Sequence, residues 1–247
     1  VLEVGSNDGV LLDELTANGI DCIGVEPSFA LVQDCIKRNL KVYEAFFDDT
    51  FVDTLITNHG LASLVVGNNV FAHINDLKKA FENVHKVLDP KGKFIFEVAH
   101  LKNIITDGIF DTIYHEHMSY HSVYSMQKFA KLTGFKLVHV EKINSHGGSL
   151  RFYLTKDLTE EIQASVKEII DEELSLGLEN NSVLERIGLN IVEKKLNINE
   201  KIEELISSNI KYFVGYGAPA KVVTFLAQMR LEDIGIICVI DDNILKQ

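Results

Sequence analysis

The feature that most constrains the fold is the alternation of short β-branched runs with helical patterns over roughly the first 100 residues. The predicted strands are Val1 to Val4, Asp21 to Val25, Leu61 to Val66 and Lys93 to Val98. Helical patterns lie between them, near residues 9–18, 29–38 and 75–88. Strands that alternate with such helices form βαβ units with a parallel sheet. We therefore predict an α/β fold with a doubly wound sheet.

The next part of the chain is predicted to complete this domain. Residues 100–123 show no periodicity, and loops of this length tend to be functional. A helix is then predicted over Val123 to Thr133, followed by two strands, Lys136 to Ile143 and Ser149 to Thr155. We place the first domain at residues 1–156.

The remaining residues are predicted to form a connector and a second domain. Residues 157–209 are rich in Glu, Lys, Leu and Ile at helical spacing, which indicates a helical connector broken at Asn180-Asn181. A partner-binding helix is the alternative interpretation. A second strand–helix–strand pattern starts at Lys211, so residues 210–247 are predicted to be a partial α/β domain. The chain starts inside an apolar run at Val1, so we expect it to be a fragment.

Charge and composition exclude several classes of function. With 24 basic and 36 acidic residues the formal net charge is -12, which argues against a nucleic-acid groove. The three cysteines are far apart, so they predict no zinc site and fit a reducing compartment. No apolar run reaches the length of about 18 residues that a membrane span needs. We expect a soluble cytoplasmic protein without membrane or nucleic-acid partners.

The first motif, Glu3-Val4-Gly5-Ser6-Asn7-Asp8-Gly9, lies where the first strand meets the first helix. Glycines let the backbone approach a ligand there, and the helix N-terminus supplies free N–H donors. About 20 residues later, Glu26 ends the second strand, where a carboxylate can accept hydrogen bonds from both ribose hydroxyls. The spacing is Gly-x-x-x-Gly, which resembles motif I of the class I S-adenosylmethionine (SAM) methyltransferases more closely than the NAD fingerprint. An ordinary tight turn with an exposed Glu26 is the alternative.

A second motif, Asn68-Asn69-Val70-Phe71-Ala72-His73, follows the strand predicted at Leu61 to Val66. The carboxyl ends of strands form the ligand crevice in doubly wound sheets, so this segment should face the ligand. His73 is equally well explained as a structural residue.

The densest chemical cluster is Tyr114-His115-Glu116-His117-Met118-Ser119-Tyr120. Two histidines and a glutamate can bind zinc, but the i, i+2 spacing of His115 and His117 does not fit the helical zinc motif. Acid–base chemistry fits better, because a histidine titrates near neutral pH and a neighbouring carboxylate or phenol can orient it.

Two further turns carry charged or ligand-binding residues. The first is His146-Gly147-Gly148-Ser149-Leu150-Arg151, where Arg151 either clamps an anion or forms a structural ion pair. The second is Gly215-Tyr216-Gly217-Ala218-Pro219-Ala220-Lys221 at a strand-to-helix turn, where backbone amides and Lys221 can receive a diphosphate.

Together these motifs resemble the SAM-dependent sugar C-methyltransferases that act on nucleotide-linked 4-keto-deoxysugars. The matching segments occur in the family's order and are Glu3 to Gly9, Gly24 to Ser28, Asn69 to His73, Glu97-Val98, Ile113 to Tyr120, His146 to Arg151 and Gly215 to Lys221. The resemblance implies the Rossmann-like fold of class I SAM methyltransferases and a second Rossmann-like domain that helps hold the nucleotide sugar. It also implies an N-terminal zinc-binding domain, which is absent here, so we expect no metal in this chain.

The resemblance also implies roles for individual residues. His73, Tyr114, Glu116 and His117 would line the reacting centre, with His117 as the general base. The implied cofactor-binding residues are Glu3, Gly5, Asn7, Asp8, Gly9, Glu26, Pro27, Ser28, Asn69 and Val70. The implied substrate-binding residues are His146, Gly147, Gly148, Arg151, Tyr216 and Lys221.

The expected reaction removes a proton next to a ketone and transfers the SAM methyl group to the resulting enolate carbon. Two other functions stay open at this point: methyl transfer to oxygen or nitrogen, and binding of SAM or a nucleotide sugar without turnover. We expect a monomer or a weak homo-oligomer.

Overall fold

The computed structural model describes residues 1–145, 147–229 and 236–242. The strands are β1 (Leu2–Val4), β2 (Ile23–Glu26), β3 (Val42–Glu44), β4 (Ala62–Asn68), β5 (Leu88–Ala99), β6 (Lys136–Ile143), β7 (Ser149–Thr155), β8 (Phe213–Tyr216) and β9 (Ile236–Ile240). The helices are α1 (Val10–Ala17), α2 (Phe29–Lys37), α3 (Asp49–His59), α4 (Leu77–Val87), α5 (Leu101–Thr106), α6 (Val123–Leu132), α7 (Ala164–Ser175), α8 (Ser182–Ser207) and α9 (Val222–Met229). A 3-10 turn covers Phe110–Thr112.

The large sheet has seven strands in the order β3-β2-β1-β4-β5-β7-β6. The strands β1 to β5 pair in parallel, whereas β7 is antiparallel to both β5 and β6. The strand order reverses between β1 and β4, and ligands bind at such switch points in open α/β sheets. The loops after β1 and β4 therefore lie where a ligand is expected, and the predicted α/β fold class is confirmed.

The chain forms two compact units, each made of two stretches of sequence. The first unit consists of Val1–Leu101 and Met118–Glu179 and contains the seven-stranded sheet. The second unit consists of Lys102–His117 and Asn180–Gln247, and its described residues include α8 and the parallel pair β8–β9.

These units do not coincide with the three predicted segments, 1–156, 157–209 and 210–247. Val166 and Ile169 of α7 are buried in the core of the first unit, so the start of the predicted connector belongs to the sheet domain. Phe110 instead forms a hydrophobic cluster with Met229 in the second unit. The boundaries of the two units therefore follow which side chains pack together, and not the order of the segments along the chain.

An aromatic cluster holds the segment after β4 in place. The Phe71 ring contacts the rings of Phe81, Phe94 and Phe96, with centroids 5.0 to 5.7 Å apart. A Cβ atom at Gly67 would lie 2.4 Å from the Phe71 ring, so a glycine is needed beside it. Aromatic packing therefore fixes the turn that carries Asn69, Val70 and His73.

Several elements differ from the sequence-based prediction. The strand β3 and the helix α3 were not predicted, and the segment 100–123, predicted to lack regular structure, contains α5 and the 3-10 turn. The strands β6 and β7 have the predicted bounds, and the helical segment breaks near Asn180-Asn181 as predicted. None of the helices in the described part of the chain is long and apolar enough to cross a membrane.

Candidate active site

The loop after β1 requires glycine at Gly5. Its φ of +68° lies in the left-handed region, and a Cβ atom there would be 2.6 Å from Cγ2 of Val70. The Gly5 amide donates to the Val25 carbonyl at 2.8 Å, which ties the loop to the end of β2. The predicted cofactor loop is thus held tightly between the ends of β2 and β4.

Arg38, the residue directly after α2, connects this loop to α1. Its guanidinium group donates to the Asp8 carbonyl and forms an ion pair with Asp13 of α1. Gly9 precedes α1 with φ +75°, and a Cβ atom there would be 2.8 Å from Sγ of Cys35. Arg38 was not predicted as a site residue, because an arginine after a helix carries no distinguishing signal in the sequence.

Glu26 lies at the carboxyl end of β2 and is 9% exposed. Its Oε2 atom accepts from the Asn7 amide at 3.1 Å and its Oε1 atom accepts from the Ser28 amide at 2.9 Å. A carboxylate has about four acceptor positions, so these two bonds leave capacity for further donors. The carboxylate is therefore held in a fixed orientation in which it can still bind hydroxyl groups.

A cavity of about 530 Å³ lies at the carboxyl ends of β1, β2 and β4. Its lining includes the predicted site residues Gly5, Pro27, Val70 and His73. Residues 45–47, directly after β3, also line it and were not predicted. A flat apolar group fits such a lining, because most of these side chains are apolar.

Two sequence signals mark the missed segment after β3. Val42 and Tyr43 are β-forming residues, and Asp48 is a helix N-cap whose side chain accepts from the Phe51 amide at 2.9 Å. A strand of three residues is too short to show a period, so this pair of signals does not stand out from the surrounding sequence.

Glu3 and Ser6 contribute two buried polar atoms that have no hydrogen-bond partner within the described ranges, Oε2 of Glu3 and Oγ of Ser6. Each residue is only 4% exposed. Burial, with a smaller contribution from Asp8, raises the pKa of Glu3 to about 7. Buried polar groups are normally satisfied, so unpaired atoms beside a ligand loop fit a bound polar group.

A hydrogen bond determines which ring nitrogen of neutral His117 carries the proton. Its Nδ1 atom is 2.6 Å from the Thr112 carbonyl, so Nδ1–H donates to that oxygen. The other nitrogen, Nε2, then has the basic lone pair. The neutral ring thus presents a proton acceptor on the side away from Thr112.

Tyr114 and Glu116 accompany His117 in the second unit. The rings of Tyr114 and His117 have centroids 4.4 Å apart. Burial and then the nearby Glu116 raise the pKa of the Tyr114 hydroxyl, so it remains a hydrogen-bond donor at neutral pH. Nε2 of His115 is 3.9 Å from Oε1 of Glu116, and the His115 side chain is 90% exposed.

Arg151 lies on β7 and is paired with two carboxylates. Its Nη2 donates to Glu97 at 3.0 Å, and its Nη1 is 3.5 Å from Glu141. These contacts favour the structural ion pair over the anion clamp. Gly147 and Gly148 form the turn before β7 with positive φ, whereas the predicted substrate residue His146 lies outside the described residues.

Several polar groups of the turn after β8 already form hydrogen bonds or ion pairs within the chain. The Ala218 amide donates to the Asp241 carboxylate at 2.7 Å, and the Tyr216 hydroxyl donates to Asp242. Nζ of Lys221 is 3.2 Å from Oδ2 of Asp111. A diphosphate at this turn would therefore have to displace aspartates, an obstacle that the sequence pattern did not reveal.

All ten predicted cofactor residues belong to the first unit, where they lie in or directly after β1, β2 and β4. The predicted catalytic residues Tyr114, Glu116 and His117 belong to the second unit, while His73 belongs to the first. Within the described parts of the chain, no group of three or more His, Cys, Asp or Glu side chains is arranged to hold a metal ion.

Comparison with known sequences gives two family matches. Residues 1–140 match the model of a methyltransferase domain, and residues 144–247 match the model of a C-methyltransferase C-terminal domain. The C-methyltransferase NovU of Streptomyces niveus is 32% identical over 248 residues, which cover 100% of this chain and 59% of NovU. The chain thus spans about three-fifths of the length of this relative.

Comparison with solved structures supports the fold. One chain of a Haloferax volcanii complex between a methyltransferase activator and a methyltransferase superposes with a TM-score of 0.52 and 16% identity, covering 63% of this chain and 80% of that chain. Magnesium protoporphyrin IX methyltransferase from Synechocystis PCC 6803, solved with bound SAH (S-adenosylhomocysteine), gives a TM-score of 0.50 and 14% identity, covering 63% and 73%. At these identities the likeness establishes the fold.

Proposed function

Because this chain belongs to the methyltransferase family whose domain model matches residues 1–140, we propose that it is a SAM-dependent C-methyltransferase. The resemblance of its motifs and the similarity to NovU support transfer to carbon. The observation that carries the cofactor assignment is the carboxylate of Glu26, fixed by two backbone amides beside the switch point of the sheet.

The residues around the switch point fit the parts of SAM. Glu26 would accept hydrogen bonds from the ribose hydroxyls, and the apolar segment at residues 45–47 would contact the adenine ring. Oε2 of Glu3 and Oγ of Ser6, which have no hydrogen-bond partner among the described residues, would meet the polar amino-acid end. The bound cofactor supplies an electrophilic methyl group on a sulfonium.

We infer that the substrate is a nucleotide-linked 4-keto-deoxysugar and that His117 removes a proton next to the ketone. The hydrogen bond from Nδ1 to Thr112 orients the ring and leaves Nε2 as the base. Tyr114 retains its hydroxyl proton and would donate to the developing enolate oxygen. His117 directly precedes Met118, whose amide donates to the Ala72 carbonyl beside His73 at 2.8 Å.

The resemblance implies that Gly147, Gly148 and Arg151 of the first unit and Tyr216 and Lys221 of the second contact the substrate, and each group is proposed here separately as a binding element. Arg151 and Lys221 already face carboxylates, so the substrate phosphates would have to compete with Glu97 and Asp111. Contacts between phosphates and these cations should weaken at high ionic strength, because salt screens the attraction between exposed charges.

Calorimetric titration with SAH tests the cofactor site. Glu26→Gln should weaken binding about 10- to 100-fold, because hydrogen bonds to a charged acceptor contribute about 1.5–3 kcal/mol. Glu44→Gln, the same change at an exposed position paired with Glu26 in the sheet, should leave the affinity unchanged. Equal affinities for the wild type and Glu26→Gln would remove the support for a ribose contact.

Solvent deuterium exchange tests the enolate step. In D₂O the wild type should exchange the proton next to the ketone of a 4-keto nucleotide sugar. His117→Asn retains an amide N–H toward Thr112 but lacks the basic nitrogen, so exchange should fall about 10²- to 10⁴-fold. Methylation without any exchange in the wild type would instead favour transfer to oxygen or nitrogen.

A further inference from the structure

Helix α8 has two apolar faces, and only one of them is covered. The covered face consists of three isoleucines that pack against the hydrophobic cluster of the second unit, Ile191, Ile198 and Ile202. Leu189, Val192 and Leu196 lie on the opposite side of the helix and are 56% to 69% exposed. Their spacing of three and then four residues places them in one line along the helix. This line therefore leaves an apolar surface exposed.

Glutamates surround these apolar residues. Four exposed glutamates lie on the same side of the helix, at spacings of three or four residues from its apolar line or from one another: Glu185, Glu193, Glu200 and Glu203. None of the four forms an ion pair with a residue that the structure describes. The lysines of α8 lie on other sides of the helix, while Arg186 borders the first turn of this face. We call the three apolar residues and the four glutamates the α8 stripe.

The first unit contains a groove of the opposite charge. It has a volume of about 720 Å³ and lies between α6, the start of β6 and the segment after β7. Its lining includes the buried Phe135 and Leu137 and the exposed Leu158 and Ile162. Three lysines also line it, Lys128, Lys131 and Lys136. We call this site the lysine groove.

The three lysines of the groove form no ion pair with a carboxylate in the described part of the chain. Nζ of Lys128 is 3.7 Å from the centroid of the Tyr124 ring. Nζ of Lys136 donates to the Leu158 carbonyl at 2.7 Å. Lys131 lies in the last turn of α6 and is exposed. All three ammonium groups can therefore accept a carboxylate as a further partner.

Two acidic residues of the neighbouring segment are engaged elsewhere. Asp157 acts electrostatically on Lys136, but its carboxylate accepts from the amide and the hydroxyl of Thr159. Glu160 forms an ion pair with Lys93. The groove thus has three cations without carboxylate partners in a chain whose formal net charge is -12. A cluster of cations around an apolar floor favours an acidic, partly apolar partner.

We propose that the lysine groove binds the α8 stripe of a second copy of this chain, and that the second copy binds the first in the same way. The apolar residues of the stripe would pack on the apolar lining of the groove, and its glutamates would face the lysines. A contact that is used twice about a twofold axis closes the assembly as a dimer. This proposal does not depend on the methyl-transfer reaction.

The size of the contact predicts a weak dimer. From Glu185 to Glu203 the stripe is about 27 Å long, and a helix is about 10 Å wide. Two such contacts bury about 1,100 Å² in total, which is near the lower limit for specific interfaces. Exposed ion pairs add little to affinity. We therefore expect a dissociation constant of about 10 to 100 µM.

Sedimentation velocity of the wild type measures this dimer. The protein should be monomeric at about 1 µM and mainly dimeric at about 300 µM. The association constant should fall at least about 10-fold between about 50 mM and 500 mM salt, because salt screens exposed charges. A monomer at all these concentrations, or a dimer that does not respond to salt, would overturn the proposal.

Reversal of charge tests the pairing of groove and stripe. Lys128→Glu with Lys131→Glu places carboxylates in the groove, and Glu193→Lys with Glu200→Lys places ammonium groups on the stripe. Each of these proteins alone should dimerise at least about 10-fold more weakly, because like charges then meet at both contacts. An equimolar mixture of the two should dimerise as the wild type does, since each groove then meets a stripe of opposite charge.

A control variant separates this pairing from the net charge. Lys78→Glu with Lys91→Glu, at exposed positions outside the groove, changes the net charge as the groove variant does and should keep the wild-type dimer. Circular dichroism confirms folding before the proteins are mixed. If a double variant does not fold, the single changes Lys131→Glu and Glu193→Lys repeat the comparison with a smaller effect. Wild-type dimerisation of a charge-reversed protein alone, or folded variants that stay monomeric when mixed, would contradict the pairing.

Discussion

At the scale of single residues, Gly5 is constrained in two ways that can be separated. Its positive φ disfavours any side chain, and a Cβ atom would also contact Val70. Gly19 has a similar φ of +71°, but a Cβ atom added there would have no other atom within 4 Å. Gly19→Ala should therefore cost about 1 kcal/mol of unfolding free energy from the backbone alone, and Gly5→Ala about 2–3 kcal/mol.

Urea unfolding of both variants measures this difference. Gly5→Ala should also weaken SAH binding, because the loop must shift away from Val70, whereas Gly19→Ala should bind as wild type does. Equal unfolding free energies for the two variants would show that the loop has room for a side chain and that its close approach to Val70 is unimportant.

His121 is a buried histidine whose protonation should limit stability in acid. It is 4% exposed, its Nε2 is 3.0 Å from the Ser119 hydroxyl, and burial lowers its pKa to about 4. The unfolded chain has a histidine pKa near 6.5 and so binds more protons between pH 4 and pH 6.5. Stability from this residue is therefore present above pH 6.5 and is lost as the pH falls through that window.

The expected loss from His121 between pH 7 and pH 5 is about 2 kcal/mol in the free energy of unfolding. His121→Asn should lower stability at pH 7 but remove this part of the pH dependence. His115→Asn, at a side chain that is 90% exposed, is the matched control. Parallel pH profiles for wild type and His121→Asn would contradict the assignment.

At the scale of secondary-structure elements, Glu173 of α7 stabilises the start of α6. Its buried carboxylate accepts from the amides of Val123 and Tyr124 at 2.7 and 2.8 Å and lies 2.8 Å from Nε2 of His100. A negative charge at a helix N-terminus is favourable, and these amides have no partner within the helix. Glu173 therefore connects α6, α7 and the end of β5.

Glu173→Ala should lower the free energy of unfolding by about 3–5 kcal/mol, since it leaves buried donors without an acceptor. Glu168→Ala removes an exposed carboxylate from the same helix and should change it by less than about 0.5 kcal/mol. Chemical unfolding of the two variants checks this. A small effect at Glu173 would mean that water replaces the carboxylate at the start of α6.

The parts of the fold that sequence could predict are those with strong local patterns. The strands β6 and β7 have alternating apolar residues and clear turns, and their predicted bounds match the structure. The three-residue strand β3 is too short to show alternation, and α5 has only six residues, too few to show a helical period. Partners far apart in sequence, such as Glu173 and Val123, leave no local signal.

The same limit applies to the candidate site. Glu26 was predicted because its distance from the first glycine loop is a local pattern, and the structure fixes its carboxylate beside that loop. The pairing of Arg151 with Glu97 joins residues 54 positions apart, and that of Lys221 with Asp111 joins the turn after β8 to a distant segment. Local motifs identify residue types, whereas only the tertiary fold determines which charges are already paired.

At the scale of the whole molecule, the segment that carries Tyr114, Glu116 and His117 is an excursion from the first unit. The chain leaves after Leu101 and returns at Met118, and the Leu101 amide donates to the His121 carbonyl at 2.9 Å. The two ends of the excursion are therefore held close together within the first unit. Phe110, in the middle of the excursion, is buried in the hydrophobic cluster of the second unit.

This arrangement predicts that cofactor binding and proton removal can be separated. A chain of residues 1–179 in which a linker of about six Gly and Ser residues replaces 102–117 retains the hydrophobic clusters of the first unit. Its affinity for SAH should lie within about 3-fold of that of the full chain, since a site built inside one unit does not depend on the other. It should catalyse no deuterium exchange, because the proposed base is gone.

The full chain with His117→Asn is the matched control, since it lacks the base but retains both units. Circular dichroism and calorimetry with SAH would compare the two proteins. If the shortened chain is folded but does not bind SAH, residues outside the first unit must contribute to the cofactor site. If it binds SAH and still exchanges deuterium, the base lies in the first unit, and His73 replaces His117 as the residue to test.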